Sequence, residues 1–208
     1  MKLTMLIWLF AAAVLTGCAT APEPVPPETE ADGVTVDDYL LDGVFVAPGA
    51  DFSAYNRLLV TDLNLEDWRP PGRDLPLGAM NRNDREFFRQ EYVGALVHHL
   101  VADGAYELAL EPGNDVLQVD ASLHQTTLSQ EASEQMGVTD PRDMAVIVLS
   151  IELYDSVSGR LLATVTDRQP LGRGANHGSS PLTPMQVRRA FSEWMHYLRE
   201  ELDELREG

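Results

Sequence analysis

Cys18 is the only cysteine among 208 residues, so no disulfide can staple the fold that this chain adopts. The core must come from apolar burial. Cys18 also closes an apolar N-terminal stretch, and this position divides the chain. Lys2 supplies a short basic start, and residues 3–15 form an apolar run containing Leu6-Ile7-Trp8-Leu9-Phe10. Gly17 and Ala19 place small residues around the cysteine. This is the grammar of an export leader, and the run is too short to span a bilayer as a permanent helix.

The segment Leu15-Thr16-Gly17-Cys18 resembles a bacterial lipobox, where a signal peptidase cuts before a cysteine that carries lipid. An unpaired cysteine in an exported chain is explained by acylation. Each buried CH₂ contributes roughly 0.8 kcal/mol, so two or more acyl chains of the palmitate class make a stable anchor. In lipoproteins of this type an aspartate after the cysteine favours inner-membrane retention. Here the residue is Ala19, and the resemblance implies the outer membrane, on its periplasmic face.

Residues 1–17 are therefore expected to be a lipoprotein signal peptide, residues 18–38 an acidic, proline-rich tether, and residues 39–208 a single domain. Ala21-Pro22-Glu23-Pro24-Val25-Pro26-Pro27, followed by Glu28, Glu30 and Asp32, cannot bury a core and favours extended chain. The formal net charge is −18, and Lys2 is the only lysine. Such a surface repels nucleic-acid phosphates and anionic lipid, which excludes nucleic acid as a partner.

Within the domain, residues 56–65 read as a strand and residues 66–81 as a loop. Asn83 and Glu86 read as the capping start of a helix carrying Phe88, Tyr92, Leu96 and Leu100, with Gly104 as its stop. Residues 106–110 are a short strand. Leu117, Val119, Ala121 and Leu123 alternate with polar residues as a half-buried strand. Residues 127–142 are polar and read as irregular. Residues 145–154 form the most apolar strand and turn through Asp155–Arg160 into residues 161–167. Residues 169–182 read as a loop. Thr183-Pro184-Met185-Gln186 then opens a helix whose stripe is Val187, Phe191, Trp194, Leu198, Leu202 and Leu205. The last turn of that helix is expected to project past the sheet. The predicted architecture is α+β: a mainly antiparallel sheet of about five strands with two helices packed on one face.

No constellation points to chemistry. Asp120, Ser122 and His124 share a strand face, but their side chains stand in parallel rather than converging as a triad requires. His98 and His99 lack the i,i+4 spacing of a helical metal pair. Gly172-Arg173-Gly174 and Asn176-His177-Gly178 lack the lysine of a phosphate loop. No catalytic, metal or cofactor-binding residue is assigned. Arg82, Arg85 and Arg89 form a basic ridge expected to pair locally with Asp84 and Glu86, or to meet a partner.

Three segments appear in a telling order: residues 45–57 (Phe45-Val46-Ala47-Pro48 through Tyr55-Asn56-Arg57), residues 112–117 (Pro112-Gly113-Asn114-Asp115-Val116-Leu117), and residues 152–161 (Glu152-Leu153-Tyr154-Asp155 through Arg160-Leu161). With the Trp194 helix, they resemble a family of proteobacterial lipoproteins, the domain-of-unknown-function family 3313. The resemblance implies a small envelope lipoprotein acting as an accessory part of a larger assembly, with no catalytic residues to carry over. Read physically, Pro48–Asp51 is a turn that Asp51 or Ser53 can cap, and Asp155 with Gly159 suits a hairpin. The expected function is a non-enzymatic, membrane-anchored accessory subunit with a protein partner in the envelope. The alternative is a periplasmic carrier or sensor of a small apolar ligand.

Overall fold

A computed structural model of the chain describes residues 42–68, 79–135, 137, 139–140, 144–173 and 183–207. All of these belong to one compact unit, Asp32–Gly208. Cys18, the lipobox residues Leu15, Thr16 and Gly17, and the tether lie outside the described residues, as do residues 174–182 of the glycine-rich loop.

In chain order the elements are β1 Gly43–Val46, β2 Arg57–Val60, α1 Arg82–Leu96, β3 Glu107–Leu108, β4 Val116–Thr126, α2 Gln130–Gln135, β5 Met144–Asp155, β6 Leu161–Arg173 and α3 Pro184–Glu207. A 3-10 turn, Glu66–Trp68, precedes α1, and a π-helical turn, Val97–Val101, extends it. The strands form one six-stranded sheet in the order β1-β6-β5-β4-β2-β3. β4, β5 and β6 pair antiparallel as a meander, and β1 joins β6 antiparallel. β2 runs parallel to both β4 and β3.

The class is α+β as expected, but the sheet is mixed and has six strands rather than five. The reason for the parallel half lies in the connection. Antiparallel neighbours need only a tight turn, whereas a strand reached through a helix runs parallel to the one it left. α1 is that crossover between β2 and β4. β1 was not legible because its four residues, Gly-Val-Phe-Val, acquire strand character only by pairing Val44 with Val165 and Val46 with Ala163.

Local chemistry explains three more differences. α1 starts two residues earlier than the Asn83–Glu86 reading, because Asn81 is the cap. Its Oδ1 accepts from the N–H of Asn83 at 2.8 Å and of Asp84 at 3.1 Å, and Asp84 accepts from the N–H of Asn81 at 2.9 Å. Residues 130–135, read as irregular, form α2, whose Ser133 is buried. β6 continues to Arg173 rather than stopping at Asp167, because β5 offers it partners as far as Met144.

α3 follows its sequence closely. Thr183 Oγ1 accepts from the Gln186 N–H at 3.3 Å, and Gln186 Oε1 accepts from the Thr183 N–H at 3.0 Å. Val187, Phe191, Trp194, Leu198 and Leu202 are all buried, and Leu205 packs partly against the same core. The last turn therefore does not project free of the domain.

One sheet face carries Leu117, Val119, Ala121 and Leu123 of β4, with Ile147, Leu149, Ile151 and Leu153 of β5. These side chains share a core with the stripes of α1 and α3. Phe88 of α1 meets Phe191 of α3 edge to face at 6.2 Å, and Trp68 meets Phe88 at 5.5 Å. Trp194 donates its Nε1–H to the buried Asp167 at 2.5 Å, which ties α3 to β6. The opposite face bears Gln118, Asp120, Ser122 and His124, all half-buried.

A motif cluster at one end of the sheet and a cleft beside α1

The three segments singled out in the sequence meet where β2 and β4 begin and β5 ends. Tyr55 donates its hydroxyl to Asp155 at 2.8 Å, across a separation of 100 residues. Arg57 clasps Asp115 with two bonds, from Nε at 2.8 Å and Nη2 at 2.5 Å. Ser156 Oγ accepts from the Gly113 N–H at 3.1 Å and donates to the Gly113 carbonyl at 3.0 Å. Each contact joins two different motif segments.

The turns inside these segments behave as the residues predict. Gly49 and Gly159 both have φ of +68°, a conformation that costs glycine little. Asp51 Oδ1 accepts from the N–H of Ser53 at 2.9 Å and its hydroxyl at 2.6 Å. Asp155 does the same for Ser158, at 2.6 Å from both donors.

This network sets the electrostatics. The Ser158 bonds, with help from Tyr55, hold the Asp155 carboxyl down at about 2. Burial, reinforced by Asp155, pushes the Tyr55 hydroxyl up to about 12. Arg57 lowers Asp115 in the same way. A carboxyl held below its unfolded value stabilises the fold only while ionised. The Asp155 contribution is therefore complete above the unfolded value of 3.8 and lost as pH falls towards 2. Melting temperatures measured from pH 7 to pH 2 are expected to fall in that window, and Asp155→Asn is expected to flatten part of the fall. An unchanged profile in Asp155→Asn would show that the network is not coupled to stability.

The other sequence candidates are dispersed. Asp120 accepts two bonds of 3.0 Å from Gln118, its neighbour on the same face. Across the sheet Asp120, Ser122 and His124 face Glu152, Ser150 and Val148. The rings of His98 and His99 meet edge to face at 4.7 Å within the π-helical turn. His99 Nε2 bonds Ser192 Oγ at 2.9 Å, and burial lowers the affinity of its ring for a proton. Among the described residues, no three His, Cys, Asp or Glu side chains are grouped to hold a metal ion.

The basic ridge departs from its expected pairing. Asp84 is used by the helix cap, and Glu86 accepts from Gln90 at 3.1 Å. Among the described residues Arg85 reaches only the Leu65 carbonyl, at 3.5 Å. Arg82 and Arg89 have no ion pair among the described residues, and the Nε of Arg89 is buried without a hydrogen bond. Beside them lies an open cleft of about 500 Å³ lined by Asp62, Glu86, Arg89, Gln90, Val93 and Gly94.

These features define a small α+β domain whose motif residues brace one end of a mixed sheet and include no assembled catalytic group among the described residues. The chain belongs to the family described as protein of unknown function DUF3313, whose model matches residues 37–198. No curated protein matches the chain. Among solved structures it is similar to the PelC dodecamer from Paraburkholderia phytofirmans, at 11% identity over 75% of this chain and 96% of that one, with a TM-score of 0.41. It is also similar to a DUF330 protein from Xanthomonas campestris, at 18% identity over 76% of this chain and 86% of that one, with a TM-score of 0.37.

Proposed function

We propose that the chain is an outer-membrane lipoprotein, anchored through acyl chains on Cys18 and facing the periplasm. Its domain serves as a non-enzymatic accessory subunit of an envelope assembly. The observation that carries this reading is Leu15-Thr16-Gly17-Cys18 at the end of an apolar run, in a chain with no other cysteine. Two features of the domain support the accessory role over a ligand carrier. The space between sheet and helices is filled by Trp194, Phe191, Tyr92, Leu58 and Leu117, none more than 1% exposed. The motif residues bond to one another rather than to an open cavity.

Anchoring is tested directly. The wild-type N-terminal peptide is expected to show an acylated Cys18 by mass spectrometry, and Cys18→Ser to leave the outer-membrane fraction. An unmodified Cys18 in the mature wild-type protein would sink the lipoprotein reading. A ligand of fixed mass that co-purifies in stoichiometric amount would favour the carrier instead.

A further inference from the structure

We infer that the seam between the end of α1 and the middle of α3 is an acid-sensitive catch, closed around a neutral His99 and loosened when protons collect on the histidines gathered there. The inference rests on the described domain alone and is independent of how the chain is anchored.

Placement is the first argument. The chain has five histidines, and three of them meet here. The ring of His99 lies between that of His98, at 4.7 Å, and that of His196 on α3, at 5.9 Å. His98 and His196 are exposed, and His99 is half-buried. Two polar ties from α3 end on His99. Ser192 Oγ meets its Nε2 at 2.9 Å, and Arg199 Nη1 donates to its carbonyl at 3.3 Å. His99 thereby holds the π-helical turn, Val97–Val101, against α3.

Charge is the second argument. The ionisable groups around the ring are His98 on the same turn, Asp103 just after it, and His196, Arg199, Glu200 and Asp203 on α3. The carboxylates already have partners. Asp203 meets Arg199 at 2.6 Å, Asp103 lies 3.8 Å from Arg199, and Glu200 lies 3.7 Å from His196. A proton on His99 enters a half-buried place between two rings that also charge in mild acid. Burial opposes it first, then His98 and His196, while Asp103 favours it.

The direction follows. The folded domain holds this proton less tightly than the unfolded chain, whose imidazole titrates at 6.5. The unfolded state therefore binds more protons below that value. Stability from the seam is complete above 6.5 and is lost as pH falls below it. A charged ring can still donate to Ser192, so the loss comes from charge crowded into the seam rather than from a broken bond. This window lies above the one in which Asp155 is protonated, and the two effects are separable.

The test follows amide exchange by mass spectrometry in the full-length protein at pH 7.5 and pH 5.5, corrected for the intrinsic pH dependence of exchange. Protection of residues 97–104 is expected to fall at least about threefold at the lower pH, while β4 and β5 keep theirs. His99→Gln, whose amide can bond Ser192 but takes up no proton, should abolish that fall. His196→Gln, at an exposed position, should shrink it. Equal wild-type protection at the two pH values overturns the inference. So does a fall that His99→Gln leaves intact, or one shared equally by β4 and β5. Proton NMR of the histidine rings reads the same device in the wild type, without relying on His99→Gln to fold. One ring should titrate below 6.5, and His196→Gln should move it upward. The absence of such a ring, or a low ring that His196→Gln does not move, overturns the inference as well.

Discussion

Trp194→Ala is expected to destabilise the soluble domain by roughly 3–5 kcal/mol, the usual cost of deleting a buried aromatic side chain. Total stability of a domain is about 5–15 kcal/mol, so much of the population would unfold at physiological temperature. Two effects act together. The indole is 1% exposed and packs edge to face on Phe191 at 5.4 Å, so its loss opens a cavity between α3 and the sheet. It also donates to Asp167, whose remaining donors are the Gln169 side chain at 3.2 Å and the Asp42 N–H at 3.3 Å. Trp194→Phe separates the two effects. It keeps most of the ring volume but removes the bond to a carboxylate, and hydrogen bonds to charged groups contribute about 1.5–3 kcal/mol. Glu204→Ala, on the exposed side of the same helix, is expected to change stability by less than about 0.5 kcal/mol. Chemical denaturation of the four proteins checks the order. A wild-type midpoint for Trp194→Ala would mean that α3 is not docked as described.

Gly113→Val is expected to cost about 1–3 kcal/mol, the usual penalty for overfilling a packed site. Gly113 has an ordinary backbone conformation; its constraint is space. A Cβ there would lie 3.0 Å from Arg57 Nη2, 3.1 Å from Val116 Cγ2 and 3.2 Å from Asp115 Oδ1. The branched side chain must push on both members of the Arg57–Asp115 pair and on Val116. Arg57→Ala in the same protein is expected to recover part of the loss, because it removes the nearest obstacle. Denaturation midpoints for the two single variants and the double variant measure that coupling. Additive losses would show that the crowding is relieved elsewhere, and no loss at all would refute the close approach.

The elements read correctly in the sequence are those whose signal is local. The α3 cap needs only Thr183, Pro184 and Gln186, and its stripe repeats every three or four residues. The β4 face alternates over a length that admits no other period. What stayed hidden depends on distant partners. β1 is a strand because β6 is beside it, 123 residues later at Gly43↔Thr166. The parallel half of the sheet follows from where α1 lays the chain down, not from the composition of β2. The motif segments could be recognised, but not their meeting point, since Tyr55 and Asp155 share no local pattern. The α1 ridge failed for a third reason. Its nearest carboxylates were nearby in sequence, but a cap and a glutamine had already taken them.

The placement of tryptophan has an optical consequence. The chain has three, Trp8, Trp68 and Trp194, and the described domain emits through the last two. Both are core residues, 3% and 1% exposed, and they flank the α1–α3 layer through Phe88 and Phe191. Intrinsic fluorescence therefore reports the docking of helices on the sheet and little else. The Asp167 carboxylate bonded to the Trp194 indole sets the surroundings of that emitter. Without any label, the protein carries a spectroscopic readout of the packing between α1 and α3.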